Sequence, residues 1–145
     1  MTAKRIYGID LGTTYSCIAY VDDSGRPTVV PNSEGDATTP SVVYFEGDGK
    51  VVVGKEAKNT SKLFPDRVIA FVKREMGNPT FSFEVDDRNC RPEEISSFVL
   101  RKLVKDAAEH VGEEITDVVI TCPAYFGINE REATKNAGRL AGLNV

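Results

Sequence analysis

The stretch from Pro92 to Cys122 constrains the fold more than any other part of this chain. Pro92-Glu93-Glu94 opens a helix, because proline fits the first turn and carboxylates favour the positive end of the helix dipole. Ile95, Phe98, Val99, Leu103, Val104, Ala107, Ala108 and Val111 then repeat at helical spacing, and Gly112 ends the helix. His110 lies in the last turn on the polar side, where it reads as a dipole-favoured surface residue rather than a catalytic one. Val118 to Cys122 is a continuous apolar run, the pattern of a buried parallel strand, and Pro123 stops it. A strand, a crossing helix and a second strand together predict an α/β layer.

The start of the chain supplies the partner strands. Ile6 to Leu11 is short and apolar, Gly12-Thr13-Thr14 interrupts it, and Tyr15 to Val21 resumes with β-branched and aromatic residues. That is a hairpin. Asp22-Asp23-Ser24-Gly25 is turn chemistry, and Thr28 to Val30 makes a third strand, so the sheet opens as an antiparallel meander. Residues 32–40 read as loop, and Ser41 to Phe45 and Val51 to Val53 as short strands. Residues 54–76 read as mostly helical, with Pro65 opening a short helix that carries Val68, Ile69, Val72 and Lys73 until Gly77-Asn78-Pro79 stops it. Phe81 to Val85 alternates as a strand and Asp86-Asp87 turns it back. After Pro123, Asn129 and Glu132 form a capping-box-like start to a last helix. Ala133, Ala137, Leu140 and Ala141 line its inner face, Gly138 lets it approach a sheet, and Gly142 closes it. A doubly wound sheet would add another strand after such a helix, so the order of elements reads as truncated.

Composition excludes several functions. The formal net charge is −4, with 18 basic residues dispersed among 22 acidic ones, which gives no basic block for nucleic acid or an anionic membrane. Cys17, Cys90 and Cys122 are odd in number and lack metal-ligand spacing. Cys17 and Cys122 sit in apolar runs and read as buried, reduced thiols, which makes the cytoplasm the expected compartment. The opening residues lead straight into a short strand without a signal-peptide core.

The chemistry sits at the first hairpin tip, Ile9-Asp10-Leu11-Gly12-Thr13-Thr14. Gly12 permits a tight turn and lets a ligand touch backbone. Turn amides form a concave anion site, and Thr13 and Thr14 add hydroxyl donors. Asp10 is a hard oxygen ligand suited to Mg²⁺, directly or through its water shell. These parts fit a Mg²⁺-polyphosphate, although Asp, Gly and Thr are also ordinary turn residues. Neither a Walker A loop nor a dinucleotide fingerprint occurs.

Gly8 to Tyr20, GIDLGTTYSCIAY, resembles the first phosphate loop of the DnaK-type seventy-kilodalton heat-shock chaperones. Further blocks resemble the same family in the family's own order: Gly35-Asp36 with Thr38-Thr39-Pro40-Ser41, Val53 to Lys58, Phe71-Val72-Lys73-Arg74, and Pro92 to Ser96. Val118 to Val145 completes the series, with Pro123-Ala124-Tyr125-Phe126 and Arg131 to Lys135. The resemblance implies the N-terminal part of the ATPase domain: half of one lobe of an actin-like, ribonuclease H-like α/β fold. In that frame residues 1–31 and 92–145 form the sheet and helix core, and residues 32–91 a small inserted outer subdomain.

The family also implies roles. Asp10 would sit near Mg²⁺, and Gly12, Thr13, Thr14 and Tyr15 near the phosphates of ATP or ADP. Lys73 would point at the γ-phosphate and the attacking water, stabilising charge on the transferred group. Without the family, Lys73 reads as a solvated helix lysine. Arg74, Pro123 and Arg131 resemble residues that couple the nucleotide state to the rest of a chaperone; on their own they read as a surface charge, a strand terminator and a helix-start arginine. Implied partners are unfolded polypeptides, a J-domain co-chaperone and a nucleotide exchange factor. Three departures stand out. Ala37 replaces the usual arginine, Gly127-Ile128 replaces a polar pair, and the segment from Gly77 to Arg91 is short. The alternatives are another actin-like ATPase, a sugar kinase or filament protein, and a non-enzymatic binding module.

Overall fold

The computed structural model describes residues 5–145, so the first four residues of the expected N-terminal approach lie outside the described residues. Strands β1 (Tyr7–Asp10), β2 (Tyr15–Val21) and β3 (Pro27–Val29) form the expected meander. The register sets Ile9 against Ile18 and Asp10 against Cys17. In the turn before β3, Asp22 Oδ1 accepts the amide of Ser24 at 2.9 Å, the Asx geometry expected of that residue. A two-residue strand β4 (Thr39–Pro40) adds to β2. A second sheet joins β5 (Val42–Gly47), β6 (Lys50–Val53) and β7 (Val68–Ala70) in the order β6-β5-β7. Helix α1 (Lys55–Thr60) sits between β6 and β7 in sequence, and β8 (Phe83–Val85) and β9 (Arg88–Cys90) form a separate hairpin. Asp86 and Asp87 both take positive φ, 50° and 60°, as a two-residue primed turn requires.

Helix α2 (Pro92–Val111) runs as its spacing predicts, with proline in the first turn and Gly112 left-handed at φ 73° after the last. Ile95, Val99, Leu100, Leu103 and Ala107 are buried in one core with Tyr7 and Ile9 of the first sheet and Val43 and Phe45 of the second. One helix thus seals both sheets, and each of its buried aliphatic side chains contributes roughly 1.5–3 kcal/mol. Strand β10 (Val118–Ile120) then pairs parallel to β1, with Val118 beside Tyr7. The architecture is α/β with a mixed sheet. Helix α3 (Ile128–Leu140) follows, and a Cβ on Gly138 would stand 3.3 Å from Ile120 Cδ1, the close approach expected of that glycine.

The structure corrects four readings. Strand β10 is covered on one face only. Tyr7, Ile9, Ile18 and Val118 face the helices, while Val119 is 59% exposed and Ile6 61% exposed on the other side. The anticipated helix from Pro65 is a 3-10 turn (Pro65–Arg67), then β7, then a second 3-10 turn (Val72–Glu75). Val68 and Ile69 are β-branched and pair with Tyr44 and Val43, and a left-handed Phe71 ends that strand. The last helix has no side-chain cap: Gly127 is its N-cap, so Asn129 and Glu132 fall inside it. Finally, Cys90 is the buried thiol, whereas Cys17 and Cys122 are only half-buried. No described helix is long and apolar enough to cross a membrane.

Candidate functional site

The turn between β1 and β2 is held from inside. The Gly12 amide donates to Ser16 Oγ at 3.1 Å, and Ser41 Oγ donates to the Gly12 carbonyl at 2.9 Å. Ser16 and Ser41 hydroxyls lie 2.8 Å apart. Each hydroxyl has one hydrogen, and that of Ser41 is committed to Gly12, so Ser16 donates to Ser41. The result is a closed ring of hydrogen bonds beneath the turn, with both serines buried. A Cβ on Gly12 would lie 1.9 Å from the Tyr15 carbonyl oxygen, so glycine is a steric requirement there. Because its amide is turned inward, Gly12 serves the turn by its lack of a side chain.

The outer side of the turn is open. Thr14, Tyr15 and Asp10 are exposed, and Thr13 is half-buried. Thr121 Oγ1 donates to Asp10 Oδ1 at 3.3 Å, a long contact that leaves carboxylate lone pairs for another ligand. Asp10 is the cross-strand partner of Cys17, whose thiol is pushed up first by burial and then by the Asp10 charge. No described group of three or more acidic, histidine or cysteine side chains could hold a metal ion. A single exposed carboxylate fits Mg²⁺, which keeps several waters and takes phosphate oxygens, and does not fit an all-protein cage.

Lys73 enters from the second 3-10 turn. It shares a cavity of about 270 Å³ with Thr13, Arg74, Tyr125, Phe126 and Glu130. The Lys73 ammonium lies 5.9 Å from the Phe126 ring centroid. Pro123 and Arg131 meet at the same residue. The Phe126 amide donates to the Pro123 carbonyl at 3.0 Å, and Arg131 Nε donates to the Phe126 carbonyl at 3.0 Å. Arg74 instead stacks on Phe71, 4.9 Å from its centroid. Tyr15 is engaged by Lys58, whose ammonium donates to its hydroxyl at 3.1 Å. Thr13 and Thr14 also line a second cavity of about 270 Å³ with Ser41, Lys58 and Phe71. Thr13 is therefore the shared wall of two cavities. Larger grooves at the β5–β6 turn and at the start of α2 contain none of these residues.

The arrangement brings together Thr13, Lys73 and Arg74, and links Pro123 to Arg131 through Phe126. Asp10 stands apart from that cavity lining, on the strand end beside Thr121. Ala37 is exposed in the loop before β4. The sequence reading missed the Ser16–Ser41 ring, the Phe126 floor under Lys73, and the contact from Lys58 to Tyr15. Only Phe126 had a local signal, the second of two aromatics that close the Pro123-Ala124-Tyr125-Phe126 block. The Thr13 hydroxyl and the Lys73 ammonium bordering one cavity can receive an anionic phosphate chain, and the exposed Asp10 carboxylate at the strand end can take a hydrated cation. The family model described as Hsp70 protein matches residues 6–145.

Proposed function

Because the chain belongs to the Hsp70 family, whose members are chaperone ATPases of the actin-like fold, we propose that its first hairpin grips the phosphates of ATP or ADP. Thr13, Thr14 and Tyr15 approach the phosphate chain, and Gly12 allows that approach. Lys73 neutralises charge on the terminal phosphate, where a positioned ammonium matters most during transfer. Asp10 would hold Mg²⁺ through its water shell, and the metal, when bound, would supply charge neutralisation. The observation that carries this reading is the shared cavity: Thr13 of the turn and Lys73, distant in sequence, line the same space.

In the full-length protein the nucleotide cycle would drive binding and release of unfolded polypeptides, with a J-domain co-chaperone and a nucleotide exchange factor as partners. Arg74, Pro123 and Arg131 would carry the nucleotide state outward, the last two through Phe126. Residues 1–31 and 92–145 would be the core of one lobe and residues 32–91 an inserted outer subdomain; the separate β6-β5-β7 sheet supports that division. Three free thiols support a reducing compartment, the cytoplasm. The 145-residue chain is expected to bind nucleotide without turnover, because in-line transfer also needs groups that fix the nucleoside and the attacking water.

Calorimetric titration with ATP and ADP, with and without Mg²⁺, tests the reading. Lys73→Ala should weaken ATP binding roughly tenfold, the size of one charge-assisted phosphate contact. Asp10→Asn should abolish the Mg²⁺ dependence, and Thr13→Val should weaken both nucleotides. Affinities unchanged in Lys73→Ala and Thr13→Val would overturn the assignment. Phosphate release by the pure chain that Lys73→Ala abolishes would overturn the no-turnover part alone.

A further inference from the structure

Phe71 is the most strained position near the candidate site. Its φ of 59° and ψ of 26° are left-handed, a conformation that a bulky aromatic residue rarely adopts. Such a backbone persists only where its surroundings hold it. Here three contacts do so. On one side, Ala70 is locked to Val42 in the sheet. On the other, Val72 is buried in the core. Across the kink, the Arg74 amide donates to the Phe71 carbonyl at 3.2 Å, while the Arg74 guanidinium covers the Phe71 ring. Phe71 is 46% exposed, so burial alone does not fix it.

The kink has a geometric consequence. Strand β7 delivers the chain beside Thr13 and Thr14, where the Phe71 ring lines one cavity. Two residues later Lys73 lines the other cavity, across Thr13. Extended residues lead into both long helices, Arg91 before α2 and Gly127 before α3, so an extended residue at position 71 would still admit a turn but would send it, and Lys73 on it, in another direction. The left-handed residue is what redirects it.

We propose that Phe71 is a positioning residue: its left-handed backbone, clamped by the Arg74 guanidinium on its ring, aims Lys73 at the terminal phosphate. This rests on the reading of Lys73 given above. The clamp makes a cation–π contact do the work that glycine does elsewhere, holding φ positive without leaving the backbone free. Arg74 thereby acts on the neighbouring lysine as well as on anything beyond it.

The test compares the ATP-to-ADP affinity ratio in wild type, Lys73→Ala, Phe71→Ala and Phe71→Tyr, with a thermal melt of each. The ratio isolates the terminal phosphate, and ADP affinity serves as the control for an intact site. Phe71→Ala should lose the ratio by roughly tenfold, as Lys73→Ala does, while ADP affinity holds. Phe71→Tyr, which keeps a ring for Arg74 to cover, should restore it. A Phe71→Ala variant whose ratio matches wild type, while Lys73→Ala loses its own, overturns the positioning role alone. So does a parallel fall in ATP and ADP affinity, in either a folded or a melted variant when Phe71→Tyr shows the same fall. A wild-type ratio that Lys73→Ala leaves unchanged overturns the reading of Lys73 and this proposal with it.

Discussion

Gly12→Ala is the sharpest perturbation of the turn between β1 and β2. The new methyl carbon would stand 1.9 Å from the Tyr15 carbonyl oxygen and 3.1 Å from its carbonyl carbon. The obstacle is backbone, so no rotamer change relieves it. Ordinary carbon–oxygen contact begins near 3.3 Å, so the turn must open by about 1.4 Å. That shift exceeds the tolerance of the two hydrogen bonds on Gly12, at 3.1 Å to Ser16 and 2.9 Å from Ser41. Both serines are buried, so breaking the ring strands polar groups away from water. Each stranded group costs about 1–3 kcal/mol, and the sum for two is about 2–6 kcal/mol. Urea denaturation followed by fluorescence or circular dichroism would measure it, as a lower midpoint at unchanged slope. Nucleotide titration of the folded fraction should show phosphate binding lost as well. A variant within about 0.5 kcal/mol of wild type, with unaltered affinity, would refute the steric argument and the turn geometry behind it.

The Lys102 cluster should shape the pH profile of stability. Lys102 Nζ meets Asp106 at 2.8 Å and Glu34 at 3.2 Å, and the Ser33 amide donates to Asp106 at 3.1 Å. Burial acts to raise both carboxyls, but Lys102 outweighs it and holds them below their ordinary values of 3.8 and 4.5. Burial likewise acts to lower Lys102, and its two carboxylates outweigh that, holding it above 10.5. Carboxylate stabilisation is complete above those ordinary values and is lost as pH falls through the lower folded-state ones. Lysine stabilisation is complete below 10.5 and is lost as pH rises through the higher folded-state value. The cluster's contribution should therefore be flat from about pH 5 to 10, and Asp106→Asn should flatten the acid limb of the melts and cost about 1.5–3 kcal/mol at pH 7. Arg91→Met removes donors to the carbonyls of Asn78, Pro79 and Phe81, and limited proteolysis should then cut residues 77–82 faster. Gly112→Ala forces a side chain into φ 73° and should lower stability by about 1 kcal/mol in the same urea assay.

Strands with two-residue alternation and helices with capped ends were legible from residue order, because those signals are local. The meander and α2 with its Pro92 start and Gly112 stop follow that rule, and the parallel strand after α2 was legible from a continuous apolar run. Residues 65–75 were not legible. Proline at a turn start and apolar residues three or four apart mimic a helix, but Val68 and Ile69 gain more by pairing with β5. No local signal marks a left-handed phenylalanine, since only its tertiary clamp makes it tenable. The uncovered face at Val119 shows the same limit, because an apolar run reports hydrophobicity and not which neighbours exist. Within the candidate site, the threonines and Lys73 were readable one at a time. That Thr13 and Lys73 line one cavity while Thr14 lines another depends on the path of residues 68–75 and was not.

The hydrogen bonds under the turn between β1 and β2 explain why its outer surface is available at all. A tight turn ordinarily satisfies its own polar groups, which leaves few for a ligand. Here Ser16 from β2 and Ser41 from beyond β4 take over the inward polar groups of Gly12. Ser41 is in turn fixed by its amide, which donates to the Thr14 carbonyl at 2.9 Å. Thr39, beside it, accepts from Asn32 at 3.0 Å, and the next residue, Ser33, ties to Asp106 of α2. The loop before β4 is thus anchored at the turn and at the helix that seals both sheets. Hydrogen bonds in that inner layer cannot be made by glycine or threonine alone. They also need a neighbouring strand, and β4, paired antiparallel to β2 despite its two residues, brings Ser41 to Gly12. Preorganised donors stabilise developing charge without reorganising at the moment of reaction, and a turn supported from below meets that condition.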